Sequence, residues 1–289
     1  MHPDEYCRGR TPASRSSFYF SFLFLPPQQR RAVTALYAFC RQVDDVVDAE
    51  LEAEEARAKL QWWREEVDRT FDGAPQHPVT TDLVPVIADY SLAREYFHEL
   101  IDGMEMDVDH AGYPAFKDLA LYCYRVASVV GLMVAEIFGY DERQTLKYAH
   151  DLGIALQLTN ILRDVREDAH RGRIYIPQDE LACYCVSEDD LRQGKWSEGM
   201  RELLAHQARR AHHYYETAFH KLPETDRFRQ RGGIIMAELY RTTLARIEAQ
   251  GFPVLARRVR LSPLRKFWIA WRTARRESQR HATLARGPG

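Results

Sequence analysis

Two pairs of aspartates stand four residues apart in this chain, Asp44 with Asp48 and Asp164 with Asp168. On an α-helix this spacing places both carboxylates of a pair on one face. Paired carboxylates suit a hard cation such as Mg²⁺, which keeps part of its water shell and takes further oxygens from a substrate phosphate. The spacing therefore indicates metal-assisted chemistry on a phosphate-bearing molecule.

Spacing alone is weak support for a metal site. The twenty aspartates among 289 residues give about 1.4 such pairs by chance. A third pair, Asp68 with Asp72, directly precedes Gly73 and is typical of a solvated helix end. The residues around the other two pairs are therefore needed to separate a site from coincidence.

Each of these two pairs continues a stripe of polar side chains along one helical face. The first stripe consists of Tyr37, Arg41, Asp44 and Asp48. The second stripe consists of Gln157, Asn160, Asp164 and Asp168. Aliphatic residues surround the second stripe, and carboxylates among apolar groups are costly unless cations or basic partners compensate them. Both stripes are therefore predicted to face a cleft.

Arginines near the stripes could supply the other half of a phosphate site. Arg41 and Arg163 adjoin the aspartates, and Arg171 and Arg173 follow the second stripe. A guanidinium offers a planar fork of donors that matches phosphate oxygens. The alternative is that these arginines only form ion pairs with the aspartates, and the sequence leaves both interpretations open.

The elements that must position these residues are predicted to be helices. No run shows the alternation of a strand, and no linker or internal repeat divides the chain. The predicted fold is all-α, with one domain at 1–274 and a basic, disordered tail at 275–289. Residues 76–81 and 103–114 are predicted to be loops. The predicted helices are 27–48, 53–71, 116–138, 142–168, 197–222 and 233–250.

Composition favours a cytoplasmic protein. Hydrophobic residues make up 45% and charged residues 28% of the chain. Its five cysteines include no Cys-x-x-Cys spacing, so neither a disulfide framework nor a zinc site is predicted. The most apolar stretches, 18–25 and 126–138, are shorter than the roughly eighteen residues of a membrane span.

Charge is distributed unevenly. From Leu255 to the end the chain carries ten basic residues and one acid, so the rest carries a net charge of −11. Leu264, Trp268 and Trp271 share a helical face in this basic segment, which suits peripheral contact with anionic lipid. Docking of the same face on the acidic body is the alternative. No motif supports nucleic-acid binding.

Several segments resemble the squalene and phytoene synthase family over residues 6–271. The second stripe lies within LGIALQLTNILRDVRED at 152–168, which is followed by RIYIP at 173–177. A second signature is YCYRVASVVG at 122–131, and the first stripe lies within and just after ALYAFCR at 35–41. The resemblance implies an isoprenoid-synthase helical bundle with a central cavity.

The activity implied by this resemblance is the head-to-head condensation of two isoprenoid diphosphates. The segments SFYFSFLFLPP at 17–27 and LSPLRKFWIAWR at 261–272 favour two farnesyl diphosphates, joined to presqualene diphosphate in hopanoid and squalene biosynthesis. The reaction would need two or three Mg²⁺ ions and no NADPH. The alternatives are phytoene synthesis from two geranylgeranyl diphosphates, complete NADPH-dependent squalene synthesis, and a non-catalytic assembly factor.

Roles for individual residues are also implied by the resemblance. Ligands to Mg²⁺ would be Asp44, Asp48, Asn160, Asp164 and Asp168. The residues expected to bind substrate are Ser16, Ser17, Arg41, Gln157, Asn160, Arg163, Tyr240 and an arginine at 257 or 258, taken as Arg258. The residues expected to take part in catalysis are Tyr37, Arg41, Tyr122 and Tyr175.

A di-iron carboxylate bundle is the main rival from another enzyme class. It requires two Glu-x-x-His motifs, and the chain contains Glu95 to His98 and Glu167 to His170. The second motif adjoins a predicted helix end, and aspartate stripes suit Mg²⁺ better than iron. This interpretation is therefore disfavoured.

Overall fold

The computed structural model describes residues 17–49, 51–110 and 112–286. In these ranges the chain is 77% helical and forms no β-strand, which confirms the predicted all-α fold. A π-helical segment, Tyr124–Ser128, separates α6 from α7, and a 3₁₀ turn, Pro253–Leu255, precedes the last helix. The α-helices are α1 Ser17–Phe22, α2 Pro27–Asp48, α3 Ala53–Phe71, α4 Pro78–Tyr90, α5 Arg94–Val108, α6 Phe116–Cys123, α7 Val129–Phe138, α8 Gln144–His170, α9 Gln178–Cys183, α10 Glu188–Gln193, α11 Glu198–Lys221, α12 Arg231–Ala249 and α13 Pro263–Arg286.

Helix α2 carries the first stripe and ends where its sequence predicts. Pro27 occupies the first turn, where a proline costs no helical hydrogen bond. Val33, Leu36, Phe39 and Val43 recur at helical spacing and are at most 1% exposed. This apolar face anchors α2 in the core and leaves the polar stripe on another face.

Helix α8 carries the second stripe and lies at the centre of the bundle. It packs most extensively on α11 and also contacts the π-helical segment. Gly153 permits this second contact, because a Cβ there would lie 2.5 Å from the Cα of Ser128. The close approach therefore requires glycine at this point of α8.

The segment 116–138, formed by α6, the π-helical segment and α7, is long and apolar enough to cross a membrane by length and composition alone. The prediction from sequence counted only residues 126–138 as an apolar stretch, and these are too few to cross a membrane. Half of its most apolar window is buried, and Leu119, Val129 and Met133 are fully enclosed. This burial is typical of the core helix of a globular protein.

Two large apolar clusters make up most of the core. The first is centred on α8, α11 and α12, and the second on α2 to α5 together with α7. Tyr96, Tyr124 and Val126 are partly buried and pack against both clusters. The first stripe thus belongs to a helix of the second cluster, and the second stripe to a helix of the first cluster.

Both predicted loops are partly wrong. Helix α4 already begins at Pro78, where the His77 side chain accepts a hydrogen bond from the Val79 backbone N–H at 3.2 Å. Helix α5 continues through Gly103 to Val108. Gly103 does not break the helix here. Its missing side chain permits close packing, because a Cβ would lie 2.7 Å from the Val126 side chain.

The predicted disorder from residue 275 is also wrong for 275–286, which continue helix α13. Glu277 is 1% exposed and accepts hydrogen bonds from Arg227 at 3.1 and 3.2 Å. Composition alone suggested a solvated basic tail, whereas this buried acid ties the helix to the bundle. Residues 287–289 lie outside the described part of the chain.

Candidate active site

Arginines contact both aspartates of the first stripe on α2. Arg41 donates to Asp44 at 2.8 Å and lies 2.9 Å from Asp45. Asp48 receives longer contacts of 3.4 Å each from Arg171 and Arg173. These two arginines follow α8, so they connect the C-terminal end of α8 to the end of α2.

Arginines contact the second stripe on α8 as well. Arg163 donates to Asp164 at 2.9 and 2.5 Å, and Arg258 donates to the same carboxylate at 2.7 Å. Arg257 instead donates to Gln250 at 3.2 Å, so Arg258 is the arginine that contacts the stripe. Tyr240 on α12 lies beneath the Arg163 guanidinium, with 5.9 Å between Cζ and the ring centre.

The ion-pair interpretation of the arginines is confirmed, because Arg41, Arg163 and Arg258 all contact aspartates of the stripes. Phosphate binding by the same arginines stays a prediction. Arg163 is largely buried at 18% side-chain exposure, whereas Arg41 and Arg171 are close to half exposed. An entering polyanion can therefore exchange with the exposed ion pairs at little cost, since exposed pairs contribute little stability.

Several carboxyl groups near the stripes have raised pKa values. Burial and the neighbouring Asp48 raise the pKa of Asp44 to about 6. Burial, Asp164 and Glu167 raise the pKa of Asp168 to about 7. The described part of the chain gives Asp168 no ion-pair partner within 4.0 Å. The negative charge of this cluster is therefore incompletely compensated.

These residues fit a hard cation that is shared with a substrate. No group of three His, Cys, Asp or Glu side chains within the described ranges is arranged to bind a metal alone. The Oδ1 atom of Asn160 is buried without a hydrogen-bond partner, while its Nδ2 donates to Gln157 at 3.3 Å. An orphaned amide oxygen beside undercompensated carboxylates is the donor set that Mg²⁺ prefers, with phosphate oxygens completing the shell.

Asp107 on α5 lies at the centre of a buried hydrogen-bond network. Tyr122 donates to one of its carboxylate oxygens at 2.9 Å and Tyr175 donates to the other at 2.8 Å. The two hydroxyls are 3.4 Å apart, and the rings stack with centres 5.1 Å apart. Burial raises the pKa of Asp107 to about 6, although both tyrosines oppose the rise.

Sequence reasoning missed Asp107 because 103–114 was interpreted as a loop. A helical interpretation would have placed Asp107 on the buried face of α5, because it lies four residues after Gly103 and three after Met104, which are both buried. An acid at a buried helical position signals a functional or paired group. The structure thus brings the predicted Tyr122 and Tyr175 together through a residue that was not predicted.

Two further polar groups adjoin this network. The Ile174 N–H donates to His110 Nε2 at 2.7 Å, while His110 Nδ1 and the Tyr113 hydroxyl are buried without partners. Tyr113 also lines a cavity of about 510 Å³ on the α5 side of the network. None of the four predicted metal-binding aspartates lines this cavity. It is therefore distinct from the space between the stripes.

Helix α1 covers Tyr37 of the first stripe. The Phe18 ring stacks on the Tyr37 ring with centres 3.9 Å apart, and burial raises the pKa of Tyr37. Ser17 begins this helix, and its carbonyl accepts a hydrogen bond from Ser21 at 2.8 Å. The predicted phosphate contact of Ser17 remains a prediction, and Ser16 lies outside the described residues.

The di-iron interpretation finds no support in the side-chain contacts. His98 pairs with Asp68 at 3.0 Å, and His170 Nδ1 contacts the Arg166 carbonyl at 2.7 Å. Glu167 contacts Arg258 at 3.1 Å. Within the described ranges the two Glu-x-x-His motifs do not form one metal-binding group.

Comparison with known proteins matches this chain to one family. The profile of the squalene/phytoene synthase family matches residues 11–265. A presqualene diphosphate synthase from Sinorhizobium fredii is 38% identical over 92% of this chain and 95% of its own length. A 15-cis-phytoene synthase from Synechococcus elongatus is 36% identical over 91% of this chain and 89% of its own length.

Structural comparison gives the same result. The crystal structure of a dehydrosqualene synthase in complex with ligand superposes with a TM-score of 0.82 and 27% identity, covering 96% of this chain and 95% of that one. Its fold is therefore shared over nearly the whole chain, including both helices that carry the stripes. The chain belongs to the squalene/phytoene synthase family and is a prenyltransferase.

Proposed function

We propose that this enzyme condenses two farnesyl diphosphates head to head into presqualene diphosphate and releases one diphosphate. The observation that carries the proposal is the pair of aspartate stripes on α2 and α8, surrounded by Arg41, Arg163 and Arg258. A family member needs such a site to hold two diphosphates. The similarity to a presqualene diphosphate synthase supports the choice of substrate and product.

The first part of the proposal concerns diphosphate binding. Asp44, Asp48, Asp164 and Asp168, with the Asn160 amide oxygen, would hold two or three Mg²⁺ ions that bridge both substrates. Bound Mg²⁺ would neutralise the charge that develops on the leaving diphosphate. The exposed arginines would turn from the aspartates to phosphate oxygens, and buried Arg163 would hold its diphosphate with Gln157 and Tyr240 nearby.

The second part concerns bond making. The allylic C–O bond of one farnesyl diphosphate breaks, and the diphosphate leaves with the bonding electron pair. The double bond of the second substrate donates its electrons to the resulting cation and forms a carbon–carbon bond. Loss of a proton from a neighbouring carbon then releases the C–H electrons, which close the cyclopropane ring. The product keeps the second diphosphate.

The third part concerns the reaction centre. Tyr122 and Tyr175 donate to Asp107, so the lone pairs of both phenol oxygens are available on the side away from the carboxylate. An oxygen held in this way can stabilise a passing cation or accept a proton for transfer to the departing diphosphate. Asp107 would act as a positioning residue through the two tyrosines, and Tyr37 would line the opposite side.

Phytoene synthesis from geranylgeranyl diphosphate is the second candidate, because the identities to the two kinds of relative differ by only two percentage points. Complete squalene synthesis would also require NADPH to reduce the cyclopropyl intermediate. A non-catalytic role is disfavoured by the complete set of aspartates and arginines in both stripes. The proposed enzyme needs no nicotinamide.

Product identification tests the proposal. The full chain is incubated with Mg²⁺ and either farnesyl or geranylgeranyl diphosphate, with and without NADPH, and the products are identified by mass spectrometry. We expect presqualene diphosphate from farnesyl diphosphate under both conditions. Phytoene formed only from the longer substrate, or squalene formed only with NADPH, would replace the proposal by the corresponding alternative.

A further inference from the structure

Helix α13 exposes an unusual amount of apolar surface. Of the nine large hydrophobic residues that are exposed in the described part of the chain, five lie on this helix. Leu264 is 84% exposed, Trp268 51% and Trp271 42%. Scattered exposed apolar residues are normal, whereas a group on one helix indicates a contact surface.

The opposite face of α13 is already occupied. Ile269, Ala270 and Ala274 are buried in a cluster with Phe20 of α1 and Ile235 of α12. The docking of α13 on the body therefore uses this inner face. The alternative that the tryptophan face itself docks on the acidic body is thereby excluded, and Trp268 and Trp271 point outward.

The outer face is basic as well as apolar. Arg272 lies over the Trp268 ring at 5.1 Å, and Arg275 lies over the Trp271 ring at 5.5 Å. Within the described ranges, no carboxylate lies within 4.0 Å of the guanidinium of Arg265, Arg272 or Arg275. The outer face thus combines aromatic rings with uncompensated positive charge.

We propose that the outer face of α13, formed by Leu264, Phe267, Trp268, Trp271, Arg272 and Arg275, binds the surface of an anionic membrane. Tryptophan and arginine suit the headgroup region, where the rings reach the acyl boundary and the guanidinium groups meet lipid phosphates. Positive charge without a protein partner argues for a lipid surface over a second copy of this chain, whose identical basic face would repel it.

Helix α13 also lies close to the proposed reaction site through its inner face. Tyr240, beneath Arg163, packs against the same buried cluster that holds the inner face of α13. An enzyme whose substrates and product are isoprenoid lipids gains direct exchange with the bilayer when this helix rests on it. That benefit depends on the proposed function, whereas membrane binding itself does not.

Vesicle co-sedimentation of the full chain tests the aromatic part of the surface. We expect binding to vesicles that contain phosphatidylglycerol and little binding to pure phosphatidylcholine. The double variant Trp268→Ser and Trp271→Ser should bind at least about tenfold more weakly. The matched control is Trp62→Ser with Trp196→Ser, because these rings are similarly exposed at 38% and 49% but lie on α3 and in the connection between α10 and α11. Equal losses in both variants would overturn the proposal.

A second pair of variants tests the charged part. Arg272→Gln with Arg275→Gln should weaken binding to anionic vesicles by about 30-fold at low salt. Arg143→Gln with Arg209→Gln, both on exposed positions elsewhere, should leave it unchanged. Absence of vesicle binding by the unmodified chain would contradict the proposal. A dimer that the tryptophan variant dissociates, without vesicle binding, would assign this face to a second copy.

Activity separates this inference from the proposed function. Product formation from detergent-dispersed farnesyl diphosphate should be the same for the tryptophan variant and the unmodified chain. If the unmodified chain binds vesicles but does not condense farnesyl diphosphate, the membrane surface is supported and the proposed reaction is rejected.

Discussion

A buried network of one carboxylate, Asp107, and two tyrosines, Tyr122 and Tyr175, is central to the chemistry proposed for this site. Asp107 accepts from Tyr122 at 2.9 Å and from Tyr175 at 2.8 Å, and all three are at least 92% buried. Buried polar groups of this kind are strongly coupled, since removal of one partner leaves the others unsatisfied. The network therefore fixes the positions of both phenol oxygens relative to Asp107.

The substitution Asp107→Asn tests this positioning role. We expect kcat to fall by about 10- to 100-fold with little change in KM, because the tyrosines lose their orientation while the diphosphate site stays intact. Tyr122→Phe should cause a comparable loss. The two losses should not add in the double variant, because both remove the same contact. Additive losses would show that Asp107 and Tyr122 act independently.

The aspartates of the second stripe should show a conflict between stability and activity. The pKa of Asp168 is raised from 3.8 to about 7, so the folded state binds this proton more tightly than the unfolded state. In metal-free protein this group therefore stabilises the fold at low pH, and the contribution is lost as the pH rises through about 7. Above that pH the ionised carboxylate opposes folding until a cation binds.

The substitution Asp168→Asn should therefore stabilise the metal-free protein at about pH 8 and abolish condensation. Thermal unfolding in a chelator should show a Tm higher by roughly 2 °C or more, with the difference shrinking toward pH 5. The control is Asp72→Asn, from the exposed third pair, which should keep full activity. An equal or lower Tm for the Asp168 variant at about pH 8 would contradict this account.

At the scale of elements, helix α13 shows how one buried group changes the structure of a segment. Its composition is that of a solvated basic tail, yet Glu277 is buried and hydrogen-bonded to Arg227. Neither partner is close to the other in sequence, so local pattern could not predict the pair. The buried acid requires the helix to continue past residue 274.

Truncation of the chain after Ala274 should therefore destabilise it. Removal of Glu277 leaves Arg227, which is 12% exposed, without its carboxylate, at a cost of about 3 to 5 kcal/mol. The free energy of unfolding in urea measures the loss, and truncation after Arg286 is the control. A truncated chain as stable as the control would mean that α13 beyond Ala274 contributes nothing to the fold.

The helices show which elements local sequence determines. The bounds of α2 and α3 agree with prediction, because Pro27 begins α2, Gly73 follows the end of α3, and apolar residues recur at helical spacing. Helices α4 and α5 were not among the predicted helices, and Pro78 and Gly103 within them were interpreted as loop signals. Their roles in a first helical turn and in close helix packing depend on neighbours that sequence alone does not show.

At the scale of the whole molecule, the fold brings together stripes that are 120 residues apart in sequence. Their side-chain types predicted that both stripes face a cleft, and the family signatures implied a helical bundle with a central cavity. The partners within the cleft were not predictable in detail. Arg171 and Arg173 reach Asp48 across the bundle, and Asp107 arrives from α5, because tertiary packing determines these contacts.

Charge is organised on the same scale. Arginines contact the aspartates of both acidic stripes on α2 and α8, while the basic outer face of α13 lies opposite the buried face of that helix. Sequence alone indicated this asymmetry of charge. It left two possible contacts for the basic segment, anionic lipid and the acidic body of the protein. Burial of Ile269 and Ala270 on the opposite face resolved which side of α13 contacts the bundle.

The central claim is that two substrates react in one site and that only one diphosphate leaves. The most direct measurement is the stoichiometry of diphosphate release against farnesyl diphosphate consumed, with Mg²⁺ present and nicotinamide absent. We predict one diphosphate released for every two farnesyl diphosphates consumed. One diphosphate released for each substrate consumed would mean hydrolysis or loss of both leaving groups, and it would contradict the account, as would no release at all.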